Sequence, residues 1–131
     1  MKFRLYLLTI TLLTLLSCQK QQAQNIAIVD SATFATKIAS SENPQVIDVR
    51  TPEEFGSEHL VNAKNIDWKR SSFEVEAKKL DKSEPIYVYC RSGARSKQAT
   101  AKLAELGFTT IYELDGGFME WSAQGLKSNK N

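Results

Sequence analysis

Four short runs rich in β-branched and aromatic residues recur along this chain: Ile26 to Val29, Val46 to Val49, Ile86 to Tyr89 and Ile111 to Leu114. Stretches with helical spacing separate them, and this alternation restricts the fold more than any other feature. Two parallel strands need a crossover long enough to hold a helix, so strand and helix in repeated succession give a mostly parallel sheet covered on both faces. With a further brief strand at Asn65 and Ile66, the expectation is an α/β domain: an open, mostly parallel sheet of about five strands, flanked by helices on both faces and spanning residues 26–131.

The connecting stretches carry their own punctuation. Asp30 or Ser31 can cap a helix presenting Phe34 and Ile38 on one face. Pro52 to Phe55 suits a first helical turn, with Glu53 and Glu54 at the positive end of the dipole. Ser71 to Glu74 has capping-box spacing ahead of a Phe73, Ala77, Leu80 stripe. A second stripe, Ala99, Leu103 and Leu106, stops at Gly107, and Gly116-Gly117 reads as a turn before a last helix over Phe118 to Ala123. Ligands in open sheets of this kind bind beyond the carboxyl ends of the strands. Asp48-Val49-Arg50, the segment from Cys90 onward and Asp115-Gly116-Gly117 are therefore expected to meet on one rim.

The first residues read as an address rather than as fold. Lys2 and Arg4 precede Leu5 to Leu16, a run without a charge, and then Ser17 and Cys18. Its length is about 12 residues, short of the roughly 20 that a membrane-spanning helix requires. Leu15-Leu16-Ser17-Cys18 resembles the bacterial lipobox, in which cleavage before the cysteine is followed by its acylation. The resemblance implies a lipoprotein signal peptide over 1–17, lipidation at Cys18 and a lipidated polar tether over 18–25. The protein would then be held on a membrane in the bacterial cell envelope, facing the periplasm or the cell exterior. Lys2 and Arg4 also account for the whole excess of 17 basic over 15 acidic side chains. A neutral remainder exerts no general pull on phosphate backbones, so nucleic acid is not an expected partner.

Setting Cys18 aside leaves Cys90 as the only other cysteine. No intramolecular disulfide is then possible, and with one histidine a Cys/His zinc site is not expected. Cys90 ends a strand, and Arg91-Ser92-Gly93-Ala94-Arg95 leads straight into the next helix, whose first amides lack intrahelical partners. A sulfur exposed there faces the helix dipole, the loop amides and two arginines, all of which favour the thiolate. Gly93 permits the positive φ that curls such a loop inward. The competing reading of the same residue is a small buried hydrophobe. The six glycines form neither a dinucleotide fingerprint nor a P-loop, and there is no Gly-x-Ser-x-Gly elbow.

Taken together, these segments resemble the single-domain rhodanese-type sulfurtransferases. Cys90-Arg91-Ser92-Gly93-Ala94-Arg95 is similar to the six-residue active loop of that family. Asp48-Val49-Arg50 with Glu54-Phe55, then Phe55 to Leu60 as Phe-x-x-x-His-Leu, and Asp115 to Trp121 as a closing Gly-Gly-aromatic-x-x-Trp, follow its order of motifs. The sequence departs where the family commonly has Gly before the His and Pro-Gly after it; here stand Glu58, Val61 and Asn62. The resemblance implies a rhodanese-like fold and a two-step transfer. Cys90 takes a sulfane sulfur from a small anionic donor such as thiosulfate, or from a persulfide, and a thiol or cyanide acceptor removes it, with no metal or organic cofactor. Arg95 and Arg91 would orient the donor while Ser92, Gly93 and Ala94 contribute amides. Asp48, Arg50 and Glu54 read as an ion-pair set holding the rim, His59 as a packing histidine, and Phe118 and Trp121 as core or pocket wall. The alternatives are a non-catalytic or redox relay module at the membrane, and arsenate reductase or phosphatase chemistry. The latter uses Cys, five residues and then Arg, whereas four residues separate Cys90 from Arg95.

Overall fold

The structure is a computed structural model, and it describes residues 22–130. The expected signal peptide, the Cys18 lipidation site and the first part of the tether lie outside the described residues. In chain order the elements are β1 (Asn25–Val29), α1 (Ser31–Ser40), β2 (Gln45–Asp48), α2 (Pro52–Ser57), β3 (Glu58–Leu60), β4 (Lys64–Asn65), α3 (Phe73–Ala77), β5 (Ile86–Tyr89), α4 (Ala94–Glu105), β6 (Thr110–Leu114), α5 (Gly117–Ala123) and β7 (Ser128–Lys130).

Five strands form one sheet in the order β1-β6-β5-β2-β4. Every pairing in it is parallel, with Val29 beside Leu114, Val88 beside Glu113, and Asp48 beside both Tyr89 and Asn65. The expected open parallel sheet is present, and β5 is its central strand. Alternation of side chains then sends each strand's residues to two separate cores. Val46, Tyr87, Tyr89 and Leu114 meet Phe34 of α1 and Trp121 of α5. Ile47, Ile86, Val88 and Ile111 meet Phe73 and Ala77 of α3 and Ala99 and Leu103 of α4. Helices therefore cover both faces, and each fully buried large apolar side chain contributes about 1.5–3 kcal/mol. Among the described residues no helix is long and apolar enough to cross a membrane.

Local signals set the helix starts, with two departures from the sequence reading. Asp30 caps α1 by accepting the Thr33 N–H at 2.7 Å, as expected. The capping-box spacing at Ser71 to Glu74 forms no side-chain cap; α3 starts after Ser72, already in helical geometry, and ends at Ala77 before the expected Leu80. A true capping box forms instead at Thr51 and Glu54, where Pro52 fixes the first turn of α2. The boundary of the expected tether also moves. Gln24 Nε2 donates to the carbonyls of Ala104 and Phe108 at 2.6 and 3.1 Å, and the Asn25 N–H donates to the Thr109 carbonyl at 2.7 Å. Two residues assigned to the tether are thus fastened to the domain, because β1 needs its first amide paired. A second, antiparallel ribbon of β3 with β7, Glu58 opposite Lys130, was not expected.

The turn between β3 and β4 survives the missing Pro-Gly. Asn62 adopts φ 63°, the only positive φ outside glycine among the described residues. Asn is one of the few side chains that tolerate this region.

Candidate active site

The chain leaves the sheet at the carboxyl end of its central strand, and Cys90 is the first residue out. Gly93, at φ 115°, precedes α4 in a left-handed conformation that a residue with a Cβ adopts only at a cost of about 1–2 kcal/mol. That curl turns the Gly93 N–H onto the Cys90 sulfur at 3.1 Å. The Ser96 hydroxyl, in the first turn of α4, lies 3.5 Å from the same sulfur. Burial pushes the Cys90 thiol up, but the Ser96 hydroxyl and the amides of Ser96, Gly93 and Ser92 outweigh it, and the thiol is held below its ordinary value. The shift favours the thiolate, which is the nucleophilic form of the side chain.

One expectation fails here: the sulfur is not exposed at the rim. Cys90 is only 1% exposed. It continues the Ile86, Val88 alternation into the core beneath α4, and the loop that directs amides at the sulfur also wraps it. Arg91, Ser92 and Ala94 are exposed above it, while Gly93 and Arg95 are half-buried.

The three expected rim segments converge. The Phe118 N–H donates to the Cys90 carbonyl at 2.8 Å and the Met119 N–H to the Arg91 carbonyl at 3.0 Å, which clamps the loop from α5. The expected ion-pair set divides in two. Arg50 clamps Asp48 through Nε and Nη2, at 2.6 Å for the shortest contact, and also donates to the Glu58 carbonyl at 2.6 Å. Asp48 is 0% and Arg50 4% exposed, and the guanidinium lies 4.4 Å over the Phe118 ring. Glu54 instead receives both terminal nitrogens of Arg95, at 2.7 and 2.8 Å. The hydrogen bonds from Arg95 hold the Glu54 carboxyl far down, at about 2. Arg95 therefore braces the loop against α2. Arg91 has no side-chain partner among the described residues. His59 stacks on Phe55 at 3.9 Å and Nδ1–H donates to the Phe55 carbonyl at 2.9 Å, the packing role expected of it. Trp121 is buried, and its Nε1–H donates to the Lys127 carbonyl at 3.2 Å.

Two site residues escaped the sequence reading, Ser96 and Glu113. The Ser96 hydroxyl also contacts the Gly93 carbonyl at 3.1 Å and Glu113 Oε1 at 2.8 Å. Glu113 is 5% exposed. The signal was present: an acidic residue stands inside Ile111 to Leu114, a strand that has to be covered on both faces.

Residues 31–124 match the family model of the rhodanese-like domain. The uncharacterized protein YqhL of Bacillus subtilis is 36% identical over 92 residues, covering 70% of this chain and 71% of that protein. Thiosulfate sulfurtransferase GlpE of Coxiella burnetii is 31% identical over 97 residues, covering 74% of this chain and 89% of its own length. The crystal structure of a rhodanese-related protein from Thermoplasma volcanium superimposes with a TM-score of 0.68 at 26% identity, covering 81% of this chain and 97% of that one.

Proposed function

Because the chain belongs to the rhodanese-like domain family, we propose that it is a sulfurtransferase that carries a sulfane sulfur on Cys90. In the first half-reaction the Cys90 thiolate attacks the outer sulfur of thiosulfate, or the terminal sulfur of a persulfide. The donor's S–S bond breaks, and sulfite or a thiolate leaves with the bonding pair. In the second half-reaction an acceptor thiolate or cyanide attacks the outer sulfur of the Cys90 persulfide, and Cys90 leaves as thiolate. No electron is gained or lost overall, and ping-pong kinetics follow from the covalent intermediate.

The observation that carries this reading is the Gly93 amide aimed at the Cys90 sulfur at 3.1 Å, at the end of the central strand and at the start of a twelve-residue helix. Donors fixed before the reaction stabilise the anion at every stage, as thiolate and as persulfide. Ser92, Gly93 and Ala94 form the wall of that cradle. Arg91, exposed and without an ion-pair partner among the described residues, meets the incoming anion, while Arg95 contributes charge from its bidentate seat on Glu54. Replacing Cys90 by Ser is expected to remove thiosulfate:cyanide activity to the uncatalysed level; a variant retaining most of the activity contradicts the assignment.

The proposal extends to where the domain works. Lys2, Arg4, the uncharged run to Leu16 and the Leu15 to Cys18 match support export and acylation at Cys18, leaving the domain tethered to a membrane of the cell envelope. Detergent partitioning of the full chain expressed in a bacterial host tests this. The natural chain is expected in the detergent phase and Cys18→Ala in the aqueous phase, and a variant that still enters the detergent phase overturns the anchor.

A further inference from the structure

Glu113 is a carboxyl that the proposed transfer does not use, buried where burial is costly and one hydroxyl away from the nucleophile. Strand β6 turns Ile111 and Glu113 to the face covered by α4, and α4 turns Ser96 back toward it. The contacts run in a line: Cys90 Sγ to Ser96 Oγ at 3.5 Å, then Ser96 Oγ to Glu113 Oε1 at 2.8 Å. Ser96 owns a single hydroxyl proton, so it serves one acceptor at a time among the Glu113 carboxylate at 2.8 Å, the Gly93 carbonyl at 3.1 Å and the sulfur at 3.5 Å. The carboxylate is the nearest of the three, and which one is served depends on where the next proton sits.

We propose that Glu113, acting through the Ser96 hydroxyl, is the internal acceptor of the Cys90 proton and so a positioning residue for the thiolate. This rests on the sulfurtransferase reading for its purpose, though not for its chemistry. In the resting arrangement the thiol donates to Ser96 Oγ and the Ser96 O–H donates to the Glu113 carboxylate. On activation the S–H bond breaks and leaves its electron pair on sulfur. The proton passes to Ser96 Oγ as the Ser96 proton passes to Glu113 Oε1. The Ser96 O–H then points at a thiolate, and a neutral Glu113 donates to Ser96. The charge of the pair stays at one negative unit, and no co-reactant is required.

The surroundings suit such a store. From α4, Ser96, Lys97 and Thr100 face Glu113 and favour its ionised form; from the end of its own strand, Asp115 opposes it. β1 and β5 set apolar Ile28 and Val88 beside it in register. Arg95 is the cation whose charge couples to Cys90 itself. Burial dominates this balance and holds the Glu113 carboxyl above its ordinary value, toward that of the thiol. Two sites that share one proton titrate as a pair, in macroscopic steps that belong to both.

Site-resolved carbon-13 titration of the full chain tests this, following Cys90 Cβ and the Glu113 carboxyl carbon without any turnover. In the natural protein both signals are expected to move at the same two midpoints. With Glu113→Gln, Cys90 is expected to lose one of its two steps; with Ser96→Ala, each residue is expected to titrate once, at its own midpoint. A Glu113 signal that moves in one step while Cys90 is still, a Cys90 curve unchanged by Glu113→Gln, or shared midpoints that persist in Ser96→Ala would each overturn the relay. A carboxyl that merely braces Ser96 leaves the thiol with one midpoint throughout. Failure of the natural protein to take up sulfur from thiosulfate, with the shared midpoints intact, would instead sink the transferase reading and leave the relay standing.

Discussion

A Cβ on Gly117 would lie 2.6 Å from the Arg91 carbonyl carbon and oxygen and 2.7 Å from the Cys90 carbonyl oxygen, on a backbone at φ 60°. All three are main-chain atoms of the nucleophile's loop and have no rotamer by which to move aside. Gly117→Ala is therefore expected to destabilise the domain by about 1–3 kcal/mol. It should also shift the loop, and a misplacement near 1 Å costs on the order of 100-fold in rate. Urea unfolding and thiosulfate:cyanide turnover measure the two effects; a variant equal to the natural protein in both would show that the clamp is not needed. Sequence marked Gly116-Gly117 as a turn but could not show what the second glycine touches, since its contacts are with Cys90 and Arg91, far back along the chain. The same holds for Ser96 and Glu113. Cys90 was legible as a nucleophile because its neighbours in sequence are its neighbours in space, whereas its burial was not, because that depends on how α4 closes over the sheet.

Elements α2 and α4 are joined by one ion pair, and that pair fixes the rim of the loop. Glu54 serves twice, as the third residue of the Thr51 capping box and as the seat of Arg95. Its folded-state pKa of about 2 lies below the ordinary 4.5. The stabilisation is thus fully present above the ordinary value and is lost as pH falls from about 4.5 to about 2. Glu54→Gln is expected to be less stable than the natural protein at neutral pH, and the gap between their thermal midpoints should close across that window. A constant gap down to pH 2 would mean that the contact contributes through shape rather than charge. The pairing also withdraws Arg95 from encircling a tetrahedral phosphoryl group, which the four-residue spacing after Cys90 had already disfavoured. Helix starts were legible where one residue does the capping, as at Asp30. The Ser71 to Glu74 pattern misled because spacing alone does not set Ser72 in the extended geometry a cap requires.

Across the whole molecule the parallel sheet was legible because its central strand is apolar and buried on both faces, and the order β1-β6-β5-β2-β4 places the Cys90 loop on that strand with Asp48 and Asp115 on either side. The β3–β7 ribbon was hidden by composition: Ser128 to Lys130 is short, polar and without alternation, and only pairing with Glu58 to Leu60 makes it a strand. The account as a whole depends on one atom accepting a sulfur from outside while lying beneath its own loop. Intact-mass and peptide mass spectrometry of the purified protein after exposure to thiosulfate tests this most directly. The expected result is a gain of one sulfur atom on the peptide that contains Cys90, removed by cyanide and absent from Cys90→Ser. An unchanged mass on that peptide, with the folded protein intact, would contradict it.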